Sequence, residues 1–167
     1  MLVRHLFAIV ILPVTMTILI PRWLVAGSGI REMWAPDSAV GAIARIAGGF
    51  SFLAGLGEFL WCLYLFAARG KGTLAPWDPP RKLVVTGPYR YVRNPMISGV
   101  LLILIGETLF HGSRTIGWWL LTFFVINQIY FMMSEEPMLE SRFGEEYLVY
   151  KENVPRWLPR LRPWKEE

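Results

Sequence analysis

The chain of 167 residues contains one cysteine, Cys62, and two histidines, His5 and His111. A single cysteine excludes any disulfide or cysteine-based metal site within the chain. Two histidines so far apart in sequence argue against a His-based metal centre, and no metal is expected. No Gly-x-Gly-x-x-Gly follows a strand-like run and no phosphate loop is present, which removes the common nucleotide-binding folds. There is no internal repeat and no low-complexity segment. Acidic residues are outnumbered, 13 against 17 Lys and Arg, for a net charge of +4. In a soluble protein that excess would point to nucleic acid. Here the cations are better read by where they fall relative to apolar runs, and no nucleic-acid partner is expected.

Apolar residues are the surplus: 54% of the chain is hydrophobic, with 8 Trp and 10 Phe, and the mean hydropathy is +0.39. A soluble domain of this length does not normally carry so much. Four runs account for it: residues 5 to about 26, 40–68, 95–111 and 115 to about 133. About 20 apolar residues cross the hydrocarbon core as a helix. The first run holds Pro13 and Pro21 and lacks a small-x-small cleavage pattern, so it reads as a spanning helix, not a secretory signal. Only Gly112, Ser113 and Arg114 separate the third and fourth runs, which predicts a tight antiparallel hairpin. The expected fold is all-α: an integral membrane bundle of about four transmembrane helices, with a C-terminal amphipathic cytosolic helix.

Charge orients this bundle. Residues 69–93 hold Arg69, Lys71, Arg81, Lys82, Arg90 and Arg93 against Asp78, whereas residues 27–38 hold Arg31 against Glu32 and Asp37. Lys and Arg mark the cytosolic side. The basic stretch, both termini and the tail are therefore expected in the cytosol. Within the second run, Gly41, Ala44, Gly48, Gly49, Gly55 and Gly57 are small enough for close helix packing. Arg45 reads as a snorkelling end charge and Glu107 as an exposed end-of-helix charge. Glu58 lies deeper, and intramembrane charges face a bundle interior or a cavity.

Two blocks carry the chemistry. The first is Gly87-Pro88-Tyr89-Arg90-Tyr91-Val92-Arg93-Asn94-Pro95-Met96-Ile97-Ser98-Gly99. The second is Glu135-Glu136-Pro137-Met138-Leu139, then Phe143-Gly144-Glu145-Glu146-Tyr147, Tyr150 and Val154-Pro155-Arg156. Asn94 can cap a helix that starts at Pro95. Glu135 and Glu136 would complement the positive end of a helix beginning at Pro137. Leu139, Phe143, Tyr147 and Tyr150 recur at helical spacing and predict an amphipathic stripe on the membrane surface, with Trp157 and Trp164 at the interface. The hairpin brings the two blocks together. A helix N-terminus with Arg93 and Asn94 then faces two carboxylates, which suits a zwitterionic amino-acid ligand such as S-adenosylmethionine.

Taken together, the blocks resemble the membrane methyltransferase superfamily that includes isoprenylcysteine carboxyl methyltransferases and phospholipid N-methyltransferases. The resemblance covers residues 87–159. It falls within a single membrane domain, 1–167, of which 1–68 supply the N-terminal spans by hydropathy alone. Residues 69–167 then form the catalytic half of basic loop, hairpin and amphipathic tail. The resemblance implies an S-adenosylmethionine pocket with Gly87, Tyr89, Arg93, Asn94, Pro95 and Gly99 on one side and Glu135, Glu136 and Leu139 on the other. Arg93, Glu135 and Glu136 would be catalytic, and Tyr147, Tyr150 and Arg156 would meet the substrate, a lipid or lipid-anchored molecule in the bilayer. Asn94 and Ile97 stand where the isoprenylcysteine branch has His and Tyr, and Asn-Pro-Met with Glu-Glu-Pro resembles the phospholipid branch. The Phe-Gly-Glu-Glu-Tyr and Val-Pro stretch resembles the isoprenylcysteine branch, and carboxyl O-methylation is the first expectation, with ethanolamine N-methylation as the alternative. A steroid-reductase-like oxidoreductase and a non-enzymatic membrane adaptor are lesser alternatives.

Overall fold

The computed structural model describes residues 10–28, 33–35, 37–65, 68 and 83–165, and among these every regular element is helical. The basic residues Arg69, Lys71, Arg81 and Lys82 lie outside the described residues, as does His5. Helix α1 begins as a wide-wound stretch, Val10–Leu19, and continues through Ile20–Ser28. Helix α2 is Ala39–Leu65, α3 is Pro95–His111 and α4 is Arg114–Tyr130. A second wide turn, Phe131–Glu135, leads into α5, Glu136–Phe143, and α6 is Glu145–Asn153.

Each wide-wound stretch ends just before a proline, Pro21 in the first case and Pro137 in the second. Proline has no N–H and its ring crowds the carbonyl four residues back, so a tight α-turn cannot close there. Widening the winding absorbs the conflict and keeps the helix going. At the second site the Glu136 amide donates to the Phe131 carbonyl, five residues back.

The α4 helix therefore does not stop before Glu135, as the sequence led us to expect. Residues Arg114–Phe143 form one helical run of 30 residues. At 1.5 Å per residue that is about 45 Å, roughly 15 Å more than a hydrocarbon core. Arg114–Phe143 and Ala39–Leu65 are the two described helices long and apolar enough to cross a membrane, and Pro13–Gly27 and Pro95–His111 are shorter apolar helices.

Glycines set how α2 and α3 meet. A Cβ on Gly55 would sit 2.5 Å from the Gly99 carbonyl oxygen, and one on Gly106 would sit 2.7 Å from the Phe52 amide nitrogen. A Cβ on Gly48 would lie 2.7 Å from the Gly106 carbonyl oxygen. The helices thus touch backbone to backbone, as small residues permit in lipid. The Ser51 hydroxyl adds a bond of 2.8 Å to the Leu102 carbonyl. Gly41 and Ala44 are buried in this stripe, whereas a Cβ on Gly49 or Gly57 would meet nothing.

The hairpin forms as expected. Gly112 turns the chain with φ +59, and buried Ser113 caps α4 by accepting from the Ile116 amide. The Met33 amide donates to the Gly112 carbonyl at 2.7 Å, closing the preceding loop onto the turn. Phe59, Val100, Leu104 and Phe123 form the core among α2, α3 and α4. Trp119 Nε1 donates to the Met16 carbonyl at 2.9 Å and ties α4 to α1. Glu107 is not an exposed end charge, because its Oε2 is enclosed and makes no hydrogen bond among the described residues. Large apolar side chains such as Val40, Ile43, Phe50, Trp118 and Ile129 point outward, the surface a bundle presents to lipid.

The single amphipathic tail helix is corrected too. Gly144, at φ +56, breaks it into α5 and α6. The stripe of Leu139, Phe143, Tyr147 and Tyr150 then turns inward, packing with Val154, Leu83, Val85 and Trp164.

Candidate active site

The first block is shaped by a tight turn, Gly87–Arg90. Gly87 takes φ +60, and a Cβ there would lie 2.8 Å from Leu65 Cδ1. The turn drives Tyr89 into a buried cluster with Cys62, Leu65 and Val84, where its hydroxyl meets the Cys62 thiol. Burial, reinforced by Cys62, holds the Tyr89 hydroxyl well above its ordinary pKa. Arg93 follows, then Asn94 and fully buried Pro95, which opens α3. Asn94 occupies the cap position, but its side chain makes no capping bond. Its carbonyl instead accepts from the Ser98 amide and hydroxyl, both at 3.0 Å.

The tail is laced onto this block through the backbone. The Arg93 amide donates to Pro155 O, the Arg160 amide to Tyr91 O and the Trp164 amide to Arg90 O, each at 2.9 Å. Arg90 Nε returns a bond of 2.6 Å to the Trp164 carbonyl. The Tyr150 hydroxyl donates to the Tyr89 carbonyl at 2.7 Å. Trp157 and Trp164 are correspondingly held by the protein: Trp157 Nε1 donates to Gln128 Oε1 at 2.7 Å, and Trp164 packs on Tyr150.

At the junction of the two blocks stands Glu136, which is buried. Its Oε1 accepts from Arg93 and from Arg156 Nε, each at 2.8 Å. Its Oε2 lies 3.4 Å from Lys151 Nζ, which also pairs with Glu140. Three cations on one carboxylate neutralise a charge that burial would otherwise disfavour. The Arg93 guanidinium also faces the Tyr147 hydroxyl. Burial, with the Glu136 charge adding to it, pushes that hydroxyl up to about 12, and Arg93 partly offsets the rise. Tyr150 is raised as well, chiefly by burial.

The neighbouring Glu135 is differently placed. Its partly buried carboxylate makes no ion pair or side-chain hydrogen bond among the described residues, yet it lies near enough to Tyr89 and Tyr147 to act on both electrostatically. Arg93 Nε is likewise buried, with no hydrogen-bond partner among the described residues. Glu135 and Glu136 are successive residues of one helical run, whose side chains point about 100° apart, so one enters the cluster of cations and the other does not. Wide turns such as Phe131–Glu135 recur at functional sites.

The junction thus gathers Arg93, Glu135, Glu136, Tyr147, Arg156 and the start of α3. Gly99 is taken up by packing against Gly55 and Phe59 of α2, and Leu139 belongs to the cluster around Tyr147 and Tyr150. Lys151 was not singled out in the sequence. Its place four residues after Tyr147, hence on the same helix face, was the available signal.

The sequence model of the phospholipid methyltransferase family matches residues 43–146. Over 63 residues, 38% of this chain, the protein is 38% identical to an uncharacterized protein of Haemophilus influenzae, which is matched along its whole length. No solved structure matches this chain. The family match runs from α2 past the Glu135–Glu136 pair, and the chain belongs to the phospholipid methyltransferase family.

Proposed function

We propose that this protein transfers a methyl group from S-adenosylmethionine to a nucleophile carried by a membrane lipid. The transfer would take place where the α3 N-terminus meets the cytosolic end of α4, in a bundle of four spans. Family membership supports methyl transfer, for which S-adenosylmethionine is the usual donor. The observation that carries the site is the set of open groups around Arg93. Among the described residues, the buried Arg93 Nε has no partner, the first turn of α3 has no side-chain cap, and the Glu135 carboxylate is unpaired. These groups fit the two ends of an amino acid. Arg93 Nε and the α3 amides would take a carboxylate, and Glu135 would take an ammonium.

The bound donor supplies an electrophilic methyl group on a sulfonium. The protein's part is to hold donor and acceptor in line and keep water out, which can account for about 7–11 kcal/mol of a barrier. Glu136 acts through Arg93, fixing the guanidinium so that Nε stays directed at the ligand. Tyr147 stays protonated at neutral pH, given its raised pKa, and adds an uncharged wall beside Arg93.

For the acceptor, the family match supports the amine of a phospholipid. The engagement of Arg93 by Glu136 supports the same choice, because a guanidinium already paired at 2.8 Å is less free to grip an acceptor carboxylate. Tritiated S-adenosylmethionine, offered with total membrane lipids and with a prenylated cysteine analogue side by side, tests the reading. Label in an amine phospholipid is expected. Label confined to the prenylcysteine would move the acceptor to a carboxylate, and label in neither would remove the proposed activity.

A further inference from the structure

A groove of about 410 Å³ opens on the outer face of α2, lined by Leu53, Gly57, Glu58, Trp61, Tyr91 and Pro159 among others. Its walls are apolar except for Glu58. It reaches the Pro88, Tyr91 and Val92 segment, one residue from Arg93. Leu53 and Trp61 are 66% and 53% exposed, so one side of the groove faces the lipid phase directly.

Glu58 stands seven residues before the end of α2, about 10 Å inside it. Among the described residues its carboxylate has no ion pair and no hydrogen bond. An intramembrane carboxylate is costly and is normally matched by a cation. Among the described residues, Arg93, Arg156 and Lys151 are paired with Glu136, Arg90 bonds the Trp164 carbonyl and Arg160 bonds the Asn153 carbonyl. Trp61 and Tyr91 stand beside it, and aromatic faces attract cations. Gly57 leaves the floor of the groove bare of side chain.

We infer that this groove binds an amphiphile with a cationic amine headgroup, the ammonium paired with Glu58 between Trp61 and Tyr91 and an acyl chain along Leu53. The occupant fits on three counts. A lipid-facing groove admits a lipid from the side, a lone carboxylate selects a cation over an anion, and aromatic walls tolerate a methylated ammonium. A phospholipid amine meets all three. An anionic lipid, or a prenylcysteine carboxylate, would be repelled by Glu58. The assignment of this amphiphile as the methyl acceptor rests on the activity proposed above, but its binding does not.

Binding is read directly from quenching of Trp61 by phospholipids with brominated acyl chains in nanodiscs of the full chain. The Trp61→Phe variant isolates the groove's share of the signal. Brominated phosphatidylethanolamine is expected to reach half-quenching at a mole fraction roughly tenfold below brominated phosphatidylglycerol, the effect of one charge-assisted contact. The protein's net charge of +4 would by itself favour the anionic lipid, so this preference cannot come from bulk electrostatics. In Glu58→Gln the preference should vanish while the phosphatidylglycerol curve holds or improves. The headgroup comparison on the unaltered chain stands whether or not that variant folds. Equal quenching by the two lipids, or a preference that survives Glu58→Gln, overturns the inference. A preference that disappears with Glu58, in a protein that methylates no lipid, would uphold the groove and refute the activity.

Discussion

Neutralising Glu136 should collapse the junction of the two blocks. In Glu136→Gln the side chain keeps its shape and an acceptor oxygen but loses the charge that three cations share. Those cations differ in what they can recover. The Arg93 side chain is 11% exposed and that of Glu136 is 7% exposed, whereas Arg156 and Lys151 are 18% and 35% exposed. Arg93 is then left as a buried charge facing an amide. Removing one partner of a buried pair costs about 3–5 kcal/mol. Water reaching Lys151, and in part Arg156, puts the expected loss at the lower end, about 3 kcal/mol. For a chain of this size that lowers Tm by about 6–12 °C. Tryptophan fluorescence during heating in detergent measures it. The double variant Arg93→Met with Glu136→Met removes both charges and should recover much of the loss, because apolar replacement of a buried pair is often neutral. A Glu136→Gln protein melting within about 2 °C of the parent would refute the claim that this carboxylate holds the blocks together.

Gly55→Leu should separate α2 from α3, since even a Cβ would sit 2.5 Å from the Gly99 carbonyl oxygen. Loss of folded protein in detergent is expected, while Gly57→Leu, at a position where a Cβ meets nothing, should remain folded on size-exclusion chromatography. Tyr147, raised by burial to about 12, keeps a proton that the unfolded chain releases near pH 10. Stability should therefore be level below that pH and fall by about 2–3 kcal/mol as pH rises from about 10 to 12. Denaturant titrations of Tyr147→Phe should show a shallower fall. Arg93→Lys retains a charge for Glu136 but loses the free Nε donor. Its Tm should change little while S-adenosylmethionine affinity and turnover fall together by roughly tenfold, checked by calorimetry and label transfer in one preparation.

The helices were legible because their ends carry local chemistry. Pro95 opens α3, and Gly112 with Ser113 closes it and caps α4. The small-residue stripe on α2 was legible as packing, although only the structure separates Gly48 and Gly55, which touch α3, from Gly49 and Gly57, which do not. The run through Glu135–Phe143 was not legible. Pro137 reads as a helix boundary, and nothing in the motif says that a wide turn will absorb it. Glu135 and Glu136 stand side by side in the motif, yet among the described residues the helix sends Glu136 to three cations and leaves Glu135 unpaired. The tail's attachment depends on backbone bonds from Arg93, Arg160 and Trp164, which leave no side-chain signature. The stripe from Leu139 to Tyr150 was correctly apolar but wrongly faced, because the break at Gly144 folds it onto the protein.

The central claim is that the open groups at this junction form an S-adenosylmethionine site, with Glu135 as its unpaired carboxylate. Calorimetric titration of S-adenosylmethionine into the purified chain and into Glu135→Gln is the direct measurement. Binding by the parent is expected, with affinity lower by tenfold or more in Glu135→Gln, the worth of one charged hydrogen bond of roughly 1.5–3 kcal/mol, and with Tm unchanged. A parent protein that binds no S-adenosylmethionine, or equal affinity in the two proteins, would contradict the account.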